Sequence, residues 1–206
     1  MQLTSLSFLS VLLFSQISFA EITKTELAET KLIEWKLVEQ NLELKLIQRL
    51  PDQTRSFFEA RGFSKAITND IATSCVFQTI TRNNSKNKNQ TLHISLKKWR
   101  IKTDGKIQPV KLKETWEQQW RDSQVKISSK IAFRWATFPT EQSFEPSGDY
   151  NWGMISFGLK PGSVFDLYVE WKTNDQAINN QTNNDQTSST QTNSIWINNI
   201  TCPKNR

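Results

Sequence analysis

The sequence predicts an α+β fold: a mainly antiparallel sheet or small sandwich, with a helical hairpin and one further helix packed on it. Three observations carry this. Apolar and polar residues alternate in several short runs, most cleanly where Phe165, Leu167, Val169 and Trp171 interleave with Asp166, Tyr168, Glu170 and Lys172. Pro51 and Gly62 bracket a stretch with helical punctuation, and Leu112, Trp116 and Trp120 recur every fourth residue. The alternating runs are linked by turn-forming residues, which suits antiparallel pairing.

The first twenty residues read as a secretory signal, 1–20. Leu6–Leu9 and Val11–Phe14 form its apolar segment, and Ser18, Phe19 and Ala20 fit a small-x-small cleavage site that leaves Glu21 first. Retention as an anchor is the competing reading. The segment MQLTS carries no Lys or Arg, but the apolar run is short and broken by Ser and Gln. No later stretch holds eighteen continuous apolar residues, so no transmembrane segment is expected after cleavage. Residues 21–206 are expected to form one exported domain.

Residues 31–49 read as a β-hairpin turning at Asn41, with Leu42, Leu44 and Leu46 alternating against Glu43, Lys45 and Ile47. A single helix over 24–47 competes, because Leu, Glu and Lys favour helices. Pro51 and Asp52 open a short helix through Phe57, Phe58 and Ala60, with Asp52 as its cap and Gly62 ending it. Ser64 opens a second helix through Ile67 and Ile71. The chain then enters a central strand from Cys75 to Ile80, a polar turn at 83–90, and a half-buried strand through Leu92, Ile94 and Leu96 that is expected to continue toward Ile101.

A helix follows over 110–122, with Glu117 and Arg121 spaced to pair on its wet side. Ile131, Phe133 and Trp135 read as strand alternation, and 139–148 as a loop. Two strands, 152–158 and 164–171, are joined across Lys160, Pro161, Gly162 and Ser163. Residues 173–194 are almost entirely Asn, Gln, Thr, Ser and Asp, and read as a disordered low-complexity hairpin tip. A last strand from Ile195 returns to pair with 164–172 and ends at Cys202.

Composition narrows the chemistry. Cys75 and Cys202 are the only cysteines, and an even count in an exported chain predicts one disulfide. No CxxC occurs, which leaves thiol exchange without a motif. The net charge is +6 and the basic residues are dispersed, the densest group being Lys86, Lys88, Lys97, Lys98, Arg100, Lys102 and Lys106. That group reads as a solvated strand face, and no nucleic-acid partner is expected.

The chain has one histidine, His93, on the polar side of its strand. Most His-based acid–base schemes would have to run through it, and no G-x-S-x-G elbow accompanies it. Carboxylate pairs drawn from Glu114, Glu117, Asp149, Asp166 and Glu170 are the candidates for glycosidic chemistry. Met154 with His93 would make only a minimal metal site, and the run from Asp104 to Pro109 lacks the acids of a calcium loop. No catalytic set, cofactor site or metal site is assigned.

Aromatic residues are the more informative feature. Trp135, Phe144, Tyr150 and Trp152 fall in or beside one glycine-containing segment, and aromatic loops at a sheet edge suit a sugar, peptide or protein. Core packing is the alternative for Trp135 and Trp152. The expected function is that of an exported, non-enzymatic accessory or binding protein, periplasmic or secreted and of bacterial type. It would engage an envelope protein or extended ligand through these four residues. A carboxylate-dependent hydrolase and a structural component of an envelope complex are the alternatives.

Overall fold

The structure is a computed structural model that describes residues 20–121, 123–175 and 189–204. The secretory segment, apart from Ala20, lies outside the described residues. The strands, in chain order, are β1 Glu21–Glu26, β2 Ile33–Glu39, β3 Leu42–Gln48, β4 Val76–Asn83, β5 Gln90–Ser95, β6 Arg100–Thr103, β7 Lys106–Pro109, β8 Glu141–Phe144, β9 Tyr150–Ser156, β10 Val164–Asp175 and β11 Ser189–Thr201. The helices are α1 Pro51–Glu59, α2 Lys65–Ala72, α3 Lys113–Gln119 and α4 Ile127–Ala136.

The strands form two antiparallel sheets. The first runs β1-β2-β3-β4-β9. In the second, β10 pairs with β11 along one side, while β6 and β5 share its other side and carry β7 and β8. The inward faces pack together as a sandwich. Trp35, Leu37, Leu44, Leu46 and Phe77 from one sheet meet Leu92, Ile94, Phe165, Leu167 and Trp171 from the other in one buried cluster. The expected small sandwich is therefore present, with two helices beyond the hairpin pair rather than one.

The hairpin at 31–49 forms as β2 and β3, with Gln40 in the left-handed region at φ 50°. Its Leu residues face the core at every second position, which a helix would have scattered around its circumference. β1, which has no buried residue, was not visible in the pattern because nothing in it alternates toward a core. In α1, Leu50 rather than Asp52 takes the cap position. Pro51 then opens the helix where its missing N–H costs nothing, and Asp52 pairs with Arg55. Ser64 caps α2 by accepting from the Ile67 amide.

β5 does not run on to Ile101. A single 3-10 turn, Leu96–Lys98, interrupts it, and the chain rejoins β10 as β6. Trp99 fills the interruption, donating its indole N–H to the Glu170 carbonyl at 3.1 Å. The two pieces are thus one broken strand along β10.

Residues 127–136 form a helix, not the expected strand. Ile131, Phe133 and Trp135 alternate, but on a helix residues two apart lie about 200° apart, on opposite faces. Phe133 points into the protein, while Ile131 and Trp135 point out. The expected loop over 139–148 contains β8, a four-residue strand whose inward residue is Phe144.

Within the low-complexity stretch expected to be disordered, 173–175 and 189–194 are strand. Ladder pairs such as Lys172 with Thr192 and Asp175 with Ser189 extend the β10–β11 hairpin well into it. Backbone pairing on both sides of β10 supplies what apolar side chains do not. Residues 176–188 lie outside the described residues.

Cys75 and Cys202 are joined in a disulfide, with Cα atoms 5.2 Å apart and a sequence separation of 127. It ties the end of β11 to the entrance of β4, sheet to sheet. Closing a loop of that length restricts the unfolded chain by about 4–5 kcal/mol in the entropic account. Such a bridge belongs to an oxidising, non-cytoplasmic compartment.

The helices cover only one end of the first sheet's outer face. Val76 and Met154 emerge there from β4 and β9, and Phe58, Phe63, Ile71, Trp116, Trp120 and Phe133 close over them. The rings pack edge-on: Phe58 against Phe63 at 5.6 Å, Trp120 against Phe133 at 4.8 Å. Among the described residues, the other end of that outer face has no helix on it.

Candidate interaction site

The uncovered end of the first sheet is built by β4 and β9. Residues on β9 alternate, so Tyr150, Trp152 and Met154 share the outward face. Met154 lies under the helices. Trp152 and Tyr150 lie beyond them, 57% and 54% exposed. Across the ladder stand Ile80, opposite Trp152, and Arg82, opposite Tyr150. The Arg82 guanidinium sits 4.9 Å from the Tyr150 ring centre and bonds the Gly148 carbonyl. The next strand adds Lys45 and Glu43, with Lys36 completing an ion-pair group around Glu43. The result is an aromatic and aliphatic patch with a charged margin.

β9 is also the last strand of its sheet. Its far side is closed near Met154, whose carbonyl accepts from the Phe138 amide at 3.0 Å. Gly153 allows this approach: a Cβ there would lie 2.4 Å from the Phe138 nitrogen. One residue earlier the Trp152 amide is held by the Asn151 side chain at 2.7 Å. From Tyr150 to Trp152 the edge faces no strand among the described residues.

The turn behind this edge is held firmly. Asp149 accepts from the Glu145 amide, and the Asn83 carbonyl takes the Gly148 amide. Gly148 has φ +95°, a conformation open to glycine. Asn83 is fully buried and donates its amide to the carbonyls of Gln90 and Phe144, joining the two sheets at this end.

The four aromatic residues singled out in the sequence separate into three groups. Tyr150 and Trp152 share the sheet patch. Phe144 is completely buried opposite Leu92 and belongs to the sandwich core, so it offers no contact surface. Trp135 is 84% exposed, on the last turn of α4, in line with Ile127 and Ile131 at four-residue spacing. Those two isoleucines were not singled out. The strand reading of 131–135 hid them, because it placed Ile131 and Phe133 on one face.

The candidate carboxylates each hold a structural partner. Both oxygens of Glu114 accept from Thr140, and Glu117 takes both bonds of the Arg134 guanidinium rather than the expected Arg121. The Arg134 hydrogen bond holds the Glu117 carboxyl below the usual carboxylate range. Asp166 accepts from the Asn199 amide, and Glu170 from the Tyr168 hydroxyl.

His93 lies on the outer face of the second sheet, its Nδ1 3.0 Å from the Ser143 hydroxyl. An acid on its other nitrogen would complete a triad. The nearby Glu141 instead bonds Lys97 at 2.9 Å, which holds that carboxyl low. Met154 is buried in the other sheet, so it does not meet His93. Among the described residues no group of three or more His, Cys, Asp or Glu side chains converges for a metal.

A hollow of about 280 Å³ lies between α2, α3 and the segment after β9, lined by Asp70, Ser74, Lys111, Trp116 and Lys160. Lys111 lies over the Trp116 ring at 3.1 Å, and burial lowers its affinity for the proton. No helix among the described residues is long and apolar enough to cross a membrane. No protein-family model, no curated protein and no solved structure matches this chain.

Proposed function

We propose that this is an exported, non-enzymatic accessory or binding protein of a bacterial envelope, which engages a protein or an extended ligand at the outer end of β9. The observation that carries the reading is Trp152 beside Tyr150. Both are more than half exposed on a strand, next to a sheet edge that has no strand partner among the described residues. Large aromatic side chains placed on regular structure lose little entropy when covered, and they dominate the energetics of contact surfaces. An open antiparallel edge adds main-chain donors and acceptors for an extended segment. The disulfide between the sheets supports an oxidising destination.

The test is photo-crosslinking from position 152 in native envelopes, followed by affinity isolation of the exported protein. A stoichiometric partner should be recovered with the natural chain and lost with Tyr150→Ser plus Trp152→Ser. The variant must keep the melting temperature of the natural protein. Recovery that does not depend on the two aromatic residues would contradict the proposal.

A further inference from the structure

The outward face of α4 has no part in the sheet patch, and its chemistry differs. Ile127, Ile131 and Trp135 fall at i, i+4 and i+8, which confines them to about 80° of the helix circumference and about 12 Å of its length. They are 77%, 49% and 84% exposed, while Ser129, Phe133 and Ala136 face inward. A helix with Phe133 in the core has no packing need for a second apolar stripe on its wet side.

Lys126, Lys130 and Arg134 each precede one member of the stripe by one residue, and so form a parallel basic line about 100° around the helix. Lys126 pairs with no carboxylate among the described residues. The Lys130 ammonium reaches the Trp120 carbonyl at 3.4 Å. Arg134 is matched by Glu117. From position 111 to 136 the chain holds six basic residues against three acidic ones, within a protein of net charge +6.

We infer that the outward face of α4 docks on an anionic lipid surface. The ridge is convex, so it suits a deformable plane of acyl chains better than the tight pocket a protein hot spot requires. The Trp135 indole has an apolar body and one N–H, the combination that settles at the boundary between chains and headgroups. Lys126 and Lys130 can lay their stems along the same boundary with their ammonium groups among anionic headgroups. Attachment of this kind is interfacial and reversible, as expected for one short amphipathic face. It is independent of the sheet patch, and it would keep an exported protein at the envelope surface while β9 remains open to a partner.

The test uses the exported protein as recovered from cells, with vesicles of phosphatidylcholine alone or mixed with phosphatidylglycerol. Binding is read by flotation and by tryptophan emission. Binding to the anionic vesicles with a blue shift is expected, and it should weaken as salt rises from about 0.1 M to about 1 M, where the screening length falls from ~10 to ~3 Å. Ile131→Ser and Trp135→Ser should each cut the affinity by about tenfold or more through lost apolar burial. Lys126→Gln should cut it by about fivefold. Tyr150→Ser with Trp152→Ser should leave it unchanged, which separates this inference from the proposed partner contact. Equal binding to both vesicle types, no binding to either, or binding insensitive to Ile131→Ser would overturn it. So would sedimentation showing the stripe buried between two copies of the chain.

Discussion

α3 and α4 carry their apolar residues at the same spacing and send them in opposite directions. Trp116 on α3 and Trp120 at its C-cap lie four apart and are buried against Phe63, Phe133 and Met154. On α4, Ile131 and Trp135 lie four apart and face solvent. The difference comes from what else each helix has to offer. α3 has one apolar stripe, and its remaining residues, Lys113, Glu114, Thr115, Glu117, Gln118 and Gln119, are polar. Burying the stripe is its only way to pack. α4 has two stripes. The one containing Phe133 fits between Phe58, Phe63 and Trp120, and the other is left over. A periodic stripe therefore says that a helix has an apolar face, without saying that the face is part of the core.

The sharpest way to break this contrast is to truncate one ring from each side of α4. Phe133→Ala should cost about 3–5 kcal/mol in urea unfolding, since it empties the centre of a ring cluster. Trp135→Ala should stay within about 0.5 kcal/mol, as for a surface position. Equal losses would mean that Trp135 packs against the protein after all.

Gly153→Ala should come next. The added methyl would meet the Phe138 backbone, which leads directly out of α4. A loss of about 1–3 kcal/mol is expected, as for overpacking. Hydrogen exchange should rise first in α4 and spare the disulfide-clamped β4–β11 end. Uniform exchange across both sheets would show that α4 is not a separable layer.

The smallest effect concerns the link between the two helices, the Glu117–Arg134 pair. Arg134 holds the folded-state pKa of Glu117 below its ordinary value. The pair therefore contributes above the unfolded carboxylate pKa, about 4.3, and its contribution disappears as pH falls through the lower folded value. Partial exposure keeps it small. Glu117→Gln should flatten that acid-side loss in a pH series of melting temperatures and leave the neutral-side slope alone. An unchanged acid limb would remove the pair from the account of how α4 is held.

Most of the sandwich was legible because its strands are half buried. Leu42, Leu44 and Leu46, or Phe165, Leu167 and Val169, write the core into every second position. The two cysteines predicted their own bridge because no other partner existed. Elements that bury little left no such trace. β1 and β7 have no buried residue, and β8 buries only Phe144. The ends of β10 and β11 rest on backbone pairing through a run of Asn, Gln, Ser and Thr. Part of the candidate site was visible as a local concentration of aromatic residues. Its division was not, since nothing in the sequence says that Phe144 faces inward from β8 while Trp152 faces outward from β9. The α4 stripe was missed because alternation over five residues outweighed a spacing of four sustained over nine.

One measurement bears directly on the claim that these outward aromatic residues are working contact surfaces. Oxidative footprinting with mass analysis can follow Trp116, Trp120, Trp135, Tyr150 and Trp152 together, in the isolated protein and in native cell envelopes. In isolation Trp135, Tyr150 and Trp152 should be modified readily, and Trp116 and Trp120 hardly at all. In envelopes the first three should become protected while the two α3 residues stay as they were. Unchanged modification of Trp135, Tyr150 and Trp152 in envelopes would contradict the account.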